Sequence, residues 1–598
     1  MNSAGAKVQK INSGRTILSR PEFWFFIVAL AGVLLRWEYF REFSHLEHFP
    51  CAIGADVMEY DIRAREICYG KIFPAEPEIH APLYSFFLAF LYRLTDYSIP
   101  AVRAVQLLLN WVAYLAFYLL LCKMSVPVKV RLSFLIFAMC TPFTVFHQAE
   151  LISETLLPPL LAGVFWLLYY ARKSRKPLFA AAAGAVTGLC ILTHGLMWRF
   201  LAAETIWFCW RRKWRTAMLV AGCTLAVVLC VIAVKSAYYG KITSVQGNSV
   251  FNLWLGHSAG ANGGCWLRPG KAWKDHHRIT GETAEQKGVS REWIYLSEIF
   301  KFYSDRPLEF FRLTAKKIWL LVVPRETVSG ADPPRLIYRT ALQYYGRWMS
   351  GLVSFFALYG VYIICIKKRR NNFVDFSLLL AGLSVLLVLT VVSGRYRQGM
   401  MPGVFLFAAA GCCVFPWKKL WMMPLAAVIY AVVGNFGGGN LPEAASIIGE
   451  ARLMRNDLDG AEELLRYAGR WIDDPGRFDN ALGIIAERRG NDAEAEKCYR
   501  RAVEGAPYEP VGYLNLGKFY FDMPGKRSEA VRLITRSLEL NENQADAWNF
   551  LGIAAFQARE PEAAAECFQK AVLLEPHHQG YKKNLNISLE LAESEKKK

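Results

Sequence analysis

The stretch "IGADVMEYDIRAREICYG", residues 53 to 70, places Asp56, Glu59, Tyr60 and Asp61 within six residues, after a long apolar run and before a second apolar region. Two readings compete for it. Asp56 follows Gly54 and Ala55 and precedes Tyr60, Ala64 and Ile67 at helical spacing, so Asp56 and Glu59 form a helix N-cap with its capping box. Glu59 to Arg63 and Asp61 to Arg65 are then i,i+4 ion pairs on the solvated side of that helix. Alternatively, a carboxylate held at the outer mouth of a membrane bundle can act as a general base toward a hydroxyl nucleophile, or anchor a metal ion.

The elements around this stretch are apolar. Of 598 residues, 54% are hydrophobic and 14% aromatic, and the mean hydropathy is positive, which excludes an ordinary soluble enzyme and indicates a polytopic membrane protein. The formal charge of +19 is unevenly placed: residues 440 to 598 hold 22 Lys and Arg against 27 Asp and Glu, leaving 48 against 24 for the rest. All excess positive charge thus belongs to the apolar part, where cytoplasmic loops account for it better than nucleic acid does. The 14 Cys show no CxxC pair or zinc spacing, and many fall inside apolar runs, where Cys is a small hydrophobe. The polar, basic N-terminus has no signal-peptide cleavage pattern, so the first apolar run is expected to be retained as a span.

Runs long enough to cross a core of roughly 30 Å lie at 22–40, 99–122, 132–147, 152–170, 177–193, 196–210, 216–238, 350–366, 375–393, 397–415 and 420–434. Basic clusters such as Arg172 to Lys176, Arg211 to Arg215 and Lys367 to Arg370 occupy every second loop. The positive-inside rule puts those in the cytoplasm, and puts 41–98, the turn near Glu150, 239–349 and the turn at Arg395 outside. The odd number of spans places the C-terminus outside as well.

Gly449, Gly483, Gly517 and Gly552 recur at intervals of 34, 34 and 35 residues. The last unit, "DAWNFLGIAAFQAREPEAAAECFQKAVLLEPHH", carries the tetratricopeptide pattern at Trp548, Leu551, Gly552, Ala564, Phe568, Ala571 and Pro576. Small residues in such repeats let two antiparallel helices approach closely, and large apolar ones fill the seams. Four repeats are expected from about 442 to 578, followed by a polar capping helix, with "GNFGGGNLP" as the linker. Such an array binds proteins or peptides, or serves assembly alone; it does no chemistry itself.

Several stretches together resemble the GT-C superfamily of polytopic glycosyltransferases, in the branch of protein O-mannosyltransferases and aminoarabinose transferases. "GADVMEYDIRARE" is similar to that family's acidic motif in the first external loop, "IHAPLYSFFLAFLYRL" (79–94) to its proline-leucine-tyrosine run, and "AELISETLLPPL" (149–160) to its second external turn. "SVQGNSVFNLWLGHSAGANG" (244–263) resembles its glycine- and asparagine-rich loop, and "SGRYRQGMMPGVFLFAAAG" (393–411) its late arginine motif. The resemblance spans about 20 to 435. It implies Asp56 as the catalytic carboxylate, as base or metal anchor, and Glu154, with Glu150 next, as a supporting carboxylate. It departs from the family at His194, where an arginine is usual, and at His257, where a second asparagine is common.

Elementary chemistry divides the labour similarly. Arg395 and Arg397 suit the bidentate binding of a donor phosphate, or else snorkel at the interface with Tyr396 in the aromatic belt. Tyr60, His194, Asn248, Asn252 and Trp254 suit a substrate pocket, with Trp as a stacking face and Asn as hydrogen-bonding amide; an ordinary turn-rich loop and a structural histidine are the alternatives. "DHHR" (275–278) lacks a third ligand at recognisable spacing and is read as structural. No nucleotide-binding loop is present in the sequence.

The expected fold is all-α: a GT-C-like transmembrane helical bundle of about 11 spans, followed by an α-solenoid of tetratricopeptide repeats. The expected divisions are a cytoplasmic tail (1–20), the transmembrane domain (21–435) with external loops 41–98 and 239–349, a linker (436–441) and the repeat domain with its cap (442–598). The expected function is sugar transfer from a polyprenyl-phosphate-linked donor to a protein, lipid or glycan at the extracytoplasmic face, by inversion as the resemblance implies. The setting is a bacterial inner membrane with the repeats periplasmic. No cofactor is assigned, with a divalent metal ion left open, and the partners are the lipid-linked sugar, membrane lipid and a protein partner or acceptor held by the repeats, with no nucleic acid. The rival reading is a non-catalytic membrane scaffold that presents the repeat array in envelope assembly.

Overall fold

The computed structural model describes residues 20–44, 55–74, 80–174, 176–261, 271–322, 340–366, 374–390, 392, 395–416, 441–454, 456–472, 474–575 and 578–596. Among the described residues every regular element is helical. The first part of the bundle runs α1 (Pro21–Ser44), α2 (Ala55–Cys68), α3 (Leu83–Thr95), α4 (Ile99–Lys123), α5 (Val128–Cys140), α6 (Pro142–Ala149), α7 (Leu157–Ser174), α8 (Pro177–Thr193), α9 (Trp198–Trp210) and α10 (Trp214–Tyr239). Four shorter helices follow, α11 (Ser249–His257), α12 (Lys271–Lys287), α13 (Arg291–Asp305) and α14 (Leu308–Val322). The bundle closes with α15 (Thr340–Val361), α16 (Val374–Leu389) and α17 (Met401–Val414).

Among the described residues three helical stretches are long and apolar enough to cross a membrane: Ile99–Lys123, Ser153–Ser174 and Trp214–Tyr239. Leu83–Thr95, Pro177–Thr193, Met349–Ile364 and Val374–Leu389 are apolar but shorter. The apolar runs and the helices differ because a run counts composition, whereas a span also needs an unbroken ladder of backbone hydrogen bonds. The run at 132–147 is two helices: Pro142 has no N–H to continue α5 and instead opens the first turn of α6. The run at 420–434 and the linker up to residue 440 lie outside the described residues.

The bundle's core is aromatic. Phe117 of α4 meets Phe134 of α5, Phe165 of α7 and Phe376 of α16 with ring centroids 5.6 to 6.4 Å apart, and Phe165 in turn meets Phe200 of α9. Close helix approach relies on small residues, as is usual in membranes. A Cβ on Gly360 of α15 would lie 2.0 Å from the Phe407 carbonyl oxygen of α17, and one on Gly411 would lie 2.1 Å from that of Phe356. At the end of α7 within the basic clusters, Arg172 pairs with Glu204 of α9 (3.1 Å) and with Asp375 of α16, tying three helices together.

The C-terminal array consists of antiparallel helix pairs α18 (Leu441–Met454) with α19 (Leu458–Gly469), α20 (Pro475–Arg488) with α21 (Asp492–Gly505), α22 (Pro510–Phe521) with α23 (Arg527–Leu540) and α24 (Ala545–Gln557) with α25 (Pro561–Leu574), closed by α26 (Gln579–Lys596). The recurrent glycines sit where pattern requires. A Cβ on Gly483, Gly517 or Gly552 would come within 2.7 Å of Tyr499, Ile534 or Phe568 on the second helix of the same repeat. Neighbouring repeats are also tied by amide pairs, Asn515 to Asn480 (3.0 Å) and Asn584 to Asn549 (2.9 Å).

Candidate active site

Helix breaks converge on one cavity. Helix α2 starts at Ala55, so Asp56 lies in its first turn rather than at its cap, where a carboxylate is favoured by the helix dipole. Glu59 is paired with His80 (2.8 Å) instead of closing a capping box, and the same imidazole nitrogen lies 3.9 Å from Asp56. The His80 ring packs at 4.9 Å from Tyr60, which meets Tyr84 edge-on at 4.9 Å. The Asp61–Arg65 pair forms at 3.0 Å, but on a packed side: Asp61 is buried and accepts the Tyr92 hydroxyl, and Arg65 lies over the Tyr92 ring. Arg63 pairs with Glu66 (3.1 Å) and the Lys71 carbonyl (2.8 Å). The acidic motif thus divides its carboxylates between the cavity and the framework.

Glu154 lies on the 3₁₀ turn Ser153–Leu156 that leads into α7. Its exposed backbone must find partners inside the bundle, and α4 supplies them: the Gln106 amide donates to the Glu150 carbonyl (3.0 Å), and that of Asn110 to the Thr155 carbonyl (2.9 Å). Glu150 itself accepts from His147 (2.6 Å). Glu154 is buried, with the Ser153 hydroxyl 3.2 Å away. His194 interrupts α8 and α9. Its Nδ1 accepts the Leu196 N–H (3.3 Å), which leaves Nε2 facing Glu154 Oε1 at 3.6 Å, and its ring meets Tyr396 edge-on at 5.3 Å. Gln246 fastens the following loop by accepting the Gly195 N–H (3.1 Å).

Asp56, Tyr60, His80, Glu154, His194, Gln246, Asn248, Asn252 and Tyr396 line this cavity with Ala81, Ser153 and Thr193. The Asn248 side-chain oxygen is buried and has no hydrogen-bond donor among the described residues, so it offers an acceptor to a ligand hydroxyl. Two imidazole–carboxylate neighbours, three amides and two phenols in one cleft suit a polyhydroxylated ligand and proton transfer.

Of the expected pocket and phosphate residues, Trp254 and Arg397 are not part of this lining. Trp254 is two residues past Asn252, about 200° around the helix. It is buried instead against His276 (4.2 Å), with its indole N–H on Glu298 (2.5 Å). Arg397 is half-buried on the 3₁₀ turn Arg395–Met400, whose Tyr396 rather than Arg397 reaches the cavity wall. The side chain of Arg395 lies outside the described residues. His80 and Gln246 are the wall residues that pattern reading passed over; both stand inside quoted motifs, His80 just before "APLY" and Gln246 just before "GN".

The loop behind Asn252 is pinned to α16. A Cβ on Gly256 would lie 1.9 Å from the Thr390 carbonyl oxygen. His257 contacts Tyr303 (2.5 Å), the Leu389 carbonyl (2.7 Å) and Lys317 (2.9 Å). Burial and the Lys317 charge bring His257 down to about 4, and burial brings Lys317 down to about 7. His277 is likewise lowered to about 4 by burial, then by His276 and Arg291, and holds Tyr295 (3.2 Å). Among the described residues no group of three or more His, Cys, Asp and Glu is placed to hold a metal ion.

Residues 38–260 match a family described as the Alg9-like mannosyltransferase family, and residues 448–510 and 545–578 match tetratricopeptide repeats. A stretch of 100 residues is 31% identical to human "Protein O-mannosyl-transferase TMTC3", covering 17% of this chain and 11% of that protein. Similar solved structures include YrrB, described as a TPR protein with an unusual peptide-binding site (18% identical, 28% of this chain and 85% of that one, TM-score 0.20). Others are the APC/C hetero-tetramer Cut9-Hcn1 (14%, 88% and 98%, TM-score 0.24) and yeast Tom70 (10%, 73% and 96%, TM-score 0.24). Residues 38–260 thus carry an Alg9-like mannosyltransferase family domain, and tetratricopeptide repeats follow in the C-terminal part.

Proposed function

We propose that the cavity transfers a glycosyl group, mannosyl by the family description, from a polyprenyl-phosphate-linked donor to a hydroxyl of an acceptor at the extracytoplasmic face. The observation that supports this reading is the meeting of Asp56, Glu154, His194, Asn248 and Asn252, from four separate segments, around one polar cleft. The alternation of basic loops supports the outward face.

In this reading Asp56 takes the acceptor's hydroxyl proton as its oxygen bonds to the anomeric carbon, and the bond from that carbon to the phosphate oxygen breaks. The configuration inverts, as the resemblance implies. His80, held by Glu59, stands beside the Asp56 carboxylate, while Glu154, steadied by His194, supports charge that develops on the sugar. Asn248 and Asn252 hold sugar hydroxyls. Arg397, with Arg395 beside it, is assigned to the departing polyprenyl phosphate. The repeat array recruits a polypeptide acceptor or an envelope partner, and the protein is placed in a bacterial inner membrane with the array periplasmic.

The test is sugar release from a panel of polyprenyl-phosphate sugars by the reconstituted protein, with Asp56→Asn alongside. One donor consumed by the wild type, and none by an equally folded variant, is the expected result. Turnover of no donor, with Asp56→Asn indistinguishable in cells, would overturn it in favour of a membrane scaffold.

A further inference from the structure

The repeat array contacts the bundle at Tyr508 and comes near it at Glu575, two positions that share a logic. Tyr508, in the turn between α21 and α22, receives the Arg278 guanidinium of α12 over its ring at 4.7 Å. Glu575, immediately after α25, lies within electrostatic range of Asp61 and Arg65 on α2 and of Tyr69 just past its end. Tyr508 and Glu575 are two repeats apart, and each stands where the second helix of one repeat gives way to the next unit. In a helix-turn-helix solenoid all such turns fall along one edge, and the turns inside each repeat fall along the other.

We infer that the array docks edge-on against the bundle in cis, by its inter-repeat turns, with α12 and the end of α2 as the seat. Docking by one edge uses turn residues alone and leaves the helix faces, through which a solenoid engages partners, for a polypeptide. Because α2 carries Asp56 and Tyr60 at its other end, a chain held on the array is brought to the helix that lines the cavity. The Arg278 side chain is fixed for the purpose by Glu282 (2.9 Å) and Asp275 (3.5 Å) on its own helix. The delivery role rests on the glycosyltransferase reading above; the docking itself does not.

The test places a benzophenone amino acid at position 508 or, as control on the opposite edge, at Asp522 between α22 and α23, in the full-length membrane-embedded protein. Irradiation and fragment mapping by mass need no sugar donor, so a failed transfer assay leaves this result unaffected. The expected outcome is an intramolecular adduct from position 508 onto residues 271–287, lost in Arg278→Ala, and none from position 522. No adduct from 508, an adduct formed between two chains only, or equal adducts from both edges would overturn the inference.

Discussion

His194 holds its Nε2 3.6 Å from Glu154 Oε1 while its Nδ1 accepts the Leu196 N–H at 3.3 Å. One imidazole therefore caps a short helix and faces a buried carboxylate, and the two tasks can be separated. Asparagine retains a capping acceptor but not the ring nitrogen aimed at Glu154. His194→Ala is expected to lower stability by about 1 kcal/mol and His194→Asn by only a few tenths. Both should slow sugar transfer by roughly a hundredfold. Thermal unfolding and single-turnover transfer measured side by side decide it; full activity in His194→Asn would reduce the residue to a cap.

Two aspartates five residues apart should behave differently. Asp56 lines the cavity, whereas Asp61 is buried between Arg65 and the Tyr92 hydroxyl. Asp61→Asn leaves that arginine and phenol poorly matched and is expected to cost about 1 to 3 kcal/mol. Asp56→Asn should leave the melting temperature unchanged and remove transfer. Equal losses of stability in both variants would show that Asp56 belongs to the framework.

The contact between α15 and α17 predicts an overpacking defect. A Cβ on Gly411 would stand 2.1 Å from the Phe356 carbonyl oxygen, a backbone atom that cannot swing aside. Gly411→Ala should therefore cost about 1 to 3 kcal/mol or more and shift the protein toward aggregation after detergent extraction. Unchanged thermal stability would mean that the helices separate without cost.

How much of this was legible beforehand follows from where each residue stands. Asp56, Glu154, His194, Asn248 and Asn252 sit at helix starts and breaks, and turn chemistry, motif order and loop charge pick out such positions from one dimension. The repeat glycines were legible for a different reason: a close approach every 34 or 35 residues leaves a periodic mark. His80 left no such mark, because its importance comes from the packing of α2 against the start of α3. Trp254 was drawn toward the pocket by its neighbours, yet the pitch of α11 turns it away. The division of 132–147 at Pro142 shows the same limit, since hydropathy is blind to a missing N–H.

The His257–Lys317 pair predicts a pH dependence for the loop that carries Asn248 and Asn252. Lys317 belongs to α14, which is not among the candidate spans. It faces His257 of α11, and His257 in turn contacts the Tyr303 hydroxyl of α13 and the Leu389 carbonyl of α16. Burial lowers Lys317 from 10.5 to about 7, so between those values the unfolded chain holds a proton that the folded chain has released. Stability therefore rises with pH across that interval, and below about pH 7 the full cost of the buried charge is present. His257, lowered from 6.5 to about 4, acts in the same direction as pH falls from 6.5 toward 4. The unfolding midpoint of the wild type should rise from pH 7 to 9.5, and Lys317→Met should flatten that rise while leaving the acid limb due to His257. A wild-type midpoint that stays level from pH 7 to 9.5, or a slope that survives Lys317→Met, would assign the buried amine no part in holding the loop.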